Sequence, residues 1–119
     1  MKSSSKEIIK LTPGEYLLRE GEESFEMYYV QSGTLGVLKR KGDQEQSIGT
    51  IVAGEVVGEM SFLDKKPRSA SVRAMSESIL IVIPHEKLDA TLDSLPKWFT
   101  ALQSTLLERL RKANSRIRV

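Results

Sequence analysis

Between Gly58 and Val72 the chain reads GEMSFLDKKPRSASV, and here residue type and spacing point to recognition of a small anion. Gly58 lets the backbone approach a ligand closely. If a short helix begins there, the N–H groups of Glu59, Met60 and Ser61 can face one concavity, an arrangement that binds anionic oxygens. Arg68 follows directly after Pro67, and its forked guanidinium suits a phosphate. A carboxylate such as Glu59 repels a phosphate but accepts a hydrogen bond from a hydroxyl, as a ribose would offer. Anion donors, one arginine and one hydroxyl acceptor together describe a sugar phosphate. A surface Glu59–Arg68 ion pair on a loop fits the same spacing equally well.

Other chemistries find little equipment. The chain has one histidine, His85, beside Pro84, and no cysteine, so conventional zinc and Cys–His arrangements are excluded. Glu20, Glu22 and Glu23 cluster around Gly21, which reads as a solvated turn. No serine lies in a Gly-x-Ser-x-Gly context. Catalysis is not expected.

The elements that must position these residues are mostly strands. With 119 residues, 39% hydrophobic and 29% charged, the chain suits one folded domain spanning 1–119. From Ile8 to Ile83, short apolar runs alternate with turn residues. The runs are Ile8–Leu11, Tyr16–Leu18, Met27–Gln31, Thr34–Arg40, Ser47–Val52, Ser71–Ala74 and Ile79–Ile83. Such punctuation predicts an antiparallel sandwich, roll or barrel over about residues 7–83. The period then changes, giving C-terminal helices over about 84–117. Pro84 can occupy a first helical turn, with Leu88 and Leu92 on one face. After Pro96, the residues Trp98, Leu102, Leu106, Leu110, Ala113 and Ile117 form one stripe on a long amphipathic helix.

No run approaches the length of a membrane span, and the N-terminus lacks the apolar core of a signal peptide, so a cytoplasmic protein without membrane contact is expected. From Glu108 onward, five basic residues face one acidic. A basic tail can bind nucleic acid, but cations also favour a helix C-terminus, and no aromatics are interleaved here.

The Gly58–Phe62 and Pro67–Ala70 segments resemble the phosphate-binding cassette of the cyclic nucleotide-binding domain family, which includes the catabolite activators and kinase regulatory subunits. PGEYLLREGE (Pro13–Glu22) and MYYVQSGTLGVL (Met27–Leu38) resemble its structural glycine motifs, and AGEVVGE (Ala53–Glu59) its approach to the cassette. Val57 stands where an aromatic is frequent and Ser61 where alanine is commoner. Neither change removes a donor.

The resemblance implies a mainly β fold: an eight-stranded antiparallel β-roll of jelly-roll type, a short cassette helix and a C-terminal hinge and long-helix pair. It assigns Glu59 to the ribose 2′-OH. Arg68, with Ser69 and the Ala70 N–H, is assigned to the cyclic phosphate, and Gly58, Met60 and Ser61 line the same pocket. Val37 and Ile51 are placed beside the base or sugar, and Ala113 and Asn114 where the long helix caps the base. The implied ligand is cAMP, on the bacterial style of the sequence, with cGMP left open by the Ser69 hydroxyl.

The domain is expected to be sensory and allosteric, passing binding through the long helix to a homodimer partner or to an effector, fused or separate. The abrupt basic end favours a fragment of a longer protein. Trp98 and Leu102 are expected to pack on the roll, leaving Leu106, Leu110 and Ile117 for a second copy. Arg68 is expected to lose solvent mainly on ligand arrival. The alternatives are a ligand-free member that serves only dimerisation, and nucleic-acid binding through the tail.

Overall fold

The structure, a computed structural model, describes residues 7–116, the side chains at positions 85, 87, 88 and 114–116 excepted. Ile117 and the side chains of His85, Leu88 and Asn114 therefore lie outside the described residues.

Eight strands and three helices follow in the order β1 (Ile8–Leu11), β2 (Tyr16–Leu18), β3 (Met27–Ser32), β4 (Thr34–Lys41), β5 (Gln44–Val52), β6 (Val56–Val57), α1 (Glu59–Asp64), β7 (Ser71–Ala74), β8 (Ser78–Ile83), α2 (His85–Asp93) and α3 (Lys97–Arg116). One sheet runs β1-β8-β3-β6 and the other β2-β7-β4-β5, with antiparallel pairing throughout. This is the eight-stranded roll with C-terminal helices.

The inward-facing residues of both sheets form the core: Leu18, Tyr28, Val30, Leu35, Val57, Val72, Ala74 and Leu80. Along β3 the alternation is visible in MYYVQS, where Tyr28 and Val30 are buried and Tyr29 and Gln31 exposed. Each aliphatic side chain so buried contributes roughly 1.5–3 kcal/mol. Opposite Val37 and Leu38 the pairing skips Ile48, a bulge that bends β5 against β4 at the level where the cavity described below opens.

Three expectations are corrected. The strand expected at Ser47–Val52 starts earlier, at Gln44, and Val56–Val57 forms a further short strand on β3. Pro84 does not occupy the first helical turn. Its ψ of 142° is extended, so it caps α2 from outside. The largest correction concerns α3, where Trp98 (68% exposed) and Leu102 do not pack on the roll. The half-buried row is instead Phe99, Gln103, Leu107 and Arg111, one position further round the helix. Leu107 joins Leu63, Leu92 and Leu95 in lining a cleft of about 550 Å³ among the three helices. Arg111 forms a half-buried ion pair with Asp64 at the end of α1.

Candidate functional site

The site starts at Gly58, whose φ of 87° and ψ of 12° put it in the left-handed region open to glycine. Space demands glycine as well. A Cβ here would stand 2.8 Å from a terminal nitrogen of Arg68 and 2.9 Å from the Glu26 carbonyl. The bend starts α1, whose first intrahelical bond runs from Phe62 N–H to Gly58 O at 3.1 Å. The Glu59 and Ser61 amides ahead of it therefore have no acceptor within the helix. Phe62, fully buried, fixes this helix against the roll. The turn closes at Lys65, also left-handed, whose N–H reaches Ser61 O.

Pro67 and Arg68 then return the chain to the sheet, tied to the β2–β3 loop. Arg68 N–H donates to Glu22 O at 2.9 Å, and Gly21 N–H donates to Arg68 O at 2.8 Å. Lys39 Nζ, from β4, donates to Ser69 O at 2.7 Å and pairs with Glu20 at 3.4 Å. Among the described residues the Ser69 and Ala70 amides have no partner.

Arg68 is 4% exposed, and so loses its solvent to the protein before any ligand arrives, against expectation. Its guanidinium donates from Nε to Ser24 Oγ (2.9 Å), from one terminal nitrogen to Gly58 O (3.2 Å) and from the other to Glu26 O (2.8 Å). One N–H on each terminal nitrogen remains. No carboxylate lies within ion-pair distance of it among the described residues, Glu59 included. The loop ion pair that the spacing allowed is therefore absent. Burial pushes the Arg68 pKa down, opposed by the phenol of Tyr28 and by the carboxylates of Glu22, Glu26 and Glu59 nearby. A buried cation held only by neutral acceptors is costly, and an anionic ligand would offset that cost.

These elements enclose a cavity of about 150 Å³. Val37, Ile51, Gly58, Glu59, Met60, Ser61, Arg68, Ser69 and Ala70 all line it. The structure thus brings together nine sequence-derived candidates from two strands and the cassette. Ala113 is exposed on α3 and does not line the cavity, and the Asn114 side chain lies outside the described residues. Sequence reasoning missed three further lining residues, Leu18, Val57 and Val72. For Leu18 and Val72 the apolar runs of β2 and β7 were the available signal, and the two-residue β6 that carries Val57 offered none. It also missed Ser24, whose role depends on a contact 44 positions away in the chain.

A family model described as the cyclic nucleotide-binding domain matches residues 8–94. The human potassium/sodium hyperpolarization-activated cyclic nucleotide-gated channel 4 is 33% identical over 98 residues, 82% of this chain and 8% of the channel. The Thermus thermophilus catabolite activator protein superposes with a TM-score of 0.74 at 30% identity, over 92% of this chain and 52% of that one. An EAL enzyme in its cAMP-bound form superposes with a TM-score of 0.85 at 26% identity, over 91% of this chain and 29% of the enzyme. The same enzyme is also similar in a cGMP-bound form. The chain therefore spans a small part of the channel and of the enzyme.

Proposed function

The chain belongs to the cyclic nucleotide-binding domain family, and from that premise we propose that it binds a cyclic mononucleotide, cAMP foremost, in the cavity between α1 and β4–β5. The observation that carries the reading is Arg68: a buried cation that among the described residues has no carboxylate partner and keeps uncommitted N–H groups, in one cavity with the Ser69 and Ala70 amides, also open among those residues. In this reading Arg68, Ser69 and Ala70 hold the cyclic phosphate. Glu59 accepts from the ribose 2′-OH, as a carboxylate can beside a sugar but not beside a second phosphate oxygen. Met60 and Ser61 close the cassette side, and Gly58 gives the ligand room. Val37 and Ile51, with Leu18, Val57 and Val72, form the apolar wall for sugar and base.

Residues 1–119 are one sensory domain in this reading, cytoplasmic and regulatory rather than catalytic. Its output passes through α3, which closes so that Ala113 and Asn114 cap the base and relays the change to a second copy or an effector. A ligand shifts such an equilibrium only by its unequal affinity for two states, and the cap supplies that inequality because it touches the ligand in one state alone.

Calorimetric titration with cAMP, cGMP and linear AMP tests the proposal. The cyclic nucleotides are expected to bind at least about tenfold more tightly than AMP, because the monoester adds a second charge to a site with a single arginine. Equal binding of all three rejects the cyclic phosphate assignment. No heat and no thermal shift with any of them favours the ligand-free dimerisation module.

A further inference from the structure

Among the described residues Arg68 has no direct carboxylate partner, yet a carboxylate reaches it through one hydroxyl. Arg68 Nε–H donates to Ser24 Oγ at 2.9 Å, and Ser24 donates its own proton to Glu22 Oε2 at 2.7 Å. A serine hydroxyl has one proton and rotates freely. By taking that proton, Glu22 leaves the oxygen lone pairs for the guanidinium and fixes their direction. The same turn is held in place from several sides. The Arg19 amide donates to Glu22 Oε1 at 3.1 Å, and the Glu22 carbonyl accepts the Arg68 amide. Together, Ser24 and the Glu26 carbonyl occupy one edge of the guanidinium. The direction of the remaining N–H groups is therefore set by two acceptors of the β2–β3 loop together with the Gly58 carbonyl.

We propose that Ser24, oriented by Glu22, is the positioning residue for Arg68: it fixes the guanidinium plane so that the uncommitted terminal N–H groups face the phosphate subsite. The inference rests on the cyclic nucleotide reading for its effect on affinity, but its geometric half stands without any ligand. Ser24 itself touches no ligand. It acts through Arg68, so removing it leaves the recognition groups present and misaimed. Threonine, which keeps the oxygen, restores the bond.

The test uses the full chain with ¹⁵N-labelled arginine, the Arg68 Nε–H signal being assigned by its loss in Arg68→Lys. In the ligand-free protein this signal is expected to be protected from exchange in the parent and in Ser24→Thr, and to lose that protection in Ser24→Ala. With ligand, Ser24→Ala is expected to lower cAMP affinity about tenfold, and Ser24→Thr to restore it to within about threefold of the parent. On an Arg68→Lys background, Ser24→Ala is expected to add less than about twofold, because the two changes remove one shared interaction. An unaltered Arg68 signal in Ser24→Ala overturns the proposal, as does a full tenfold effect on the lysine background. If the parent binds no cyclic nucleotide, the functional reading falls and the Nε–H signal alone decides the positioning claim.

Discussion

Glu59 and Arg68 line one cavity as opposite charges that do not pair, and this separation leaves both available to a ligand. Glu59 is tested through the hydroxyl it is proposed to accept. Glu59→Gln keeps the size and replaces an ionised acceptor with a neutral amide, a change worth roughly tenfold in affinity for a charge-assisted bond. The loss is expected for cAMP and largely absent for 2′-deoxy-cAMP, which offers no donor. Equal losses in parallel titrations would return Glu59 to a structural role. The cassette was legible at this scale because its residues lie within a few positions of one another. The Gly-Glu pair and the Pro-Arg-Ser-Ala run carry their meaning in local spacing. The partners of Arg68 were not legible. Two are backbone carbonyls, which any residue supplies, and the third is a serine in a polar loop.

At the level of elements, the limits of legibility follow from what each element buries. The Thr34–Lys41 strand opens on an apolar run, Leu35 to Leu38, between turn residues, so its sequence announces it. Its hairpin partner begins Gln44-Glu45-Gln46, polar because it is an edge strand, and only cross-strand pairing reveals its length. Val56–Val57 is too short for any period and exists because it pairs with Tyr28 and Tyr29. Gly58 then turns this strand into α1, and the turn makes a prediction. Gly58→Ala imposes a positive φ on a side chain and drives its Cβ against a backbone carbonyl that cannot swing aside. Denaturant unfolding is expected to show a loss of about 1–3 kcal/mol, with cAMP affinity falling because Arg68 must move. Unchanged stability and affinity together would mean that the bend is not needed. The spacing marks an apolar stripe on α3, but its first two members, Trp98 and Leu102, are exposed and do not meet the roll as expected. Periodicity identifies an apolar face but not what covers it. Here the neighbouring row is drawn inward by Leu107 in the interhelical cleft and by the Arg111–Asp64 ion pair.

For the whole molecule, that rotation of α3 leaves Trp98, Leu102, Leu106 and Leu110 exposed in one row, from position 98 to position 110 of a twenty-residue helix. A row of this length is more than scattered surface hydrophobics, and an isologous contact between two α3 helices would cover it on both copies at once. An ion pair of α3 is compatible with that contact. Glu108 and Lys112 pair within the helix on the side opposite Leu110, so this ion pair lies away from the apolar row. The Asp64–Arg111 ion pair ties the same helix to the end of α1. Leu110→Arg introduces a cation at the C-terminal end of the exposed row, the proposed seam, without touching the cavity or the core. Sedimentation of the parent is expected to show a dimer, and of the variant a monomer with unchanged circular dichroism. Linkage adds a second readout: if cAMP tightens the dimer by some factor, dimerisation must tighten cAMP by the same factor, and Leu110→Arg should lower cAMP affinity by that amount. A parent that sediments as a monomer with and without cAMP would rule out the seam, and the exposed row would then belong to a contact with a different chain.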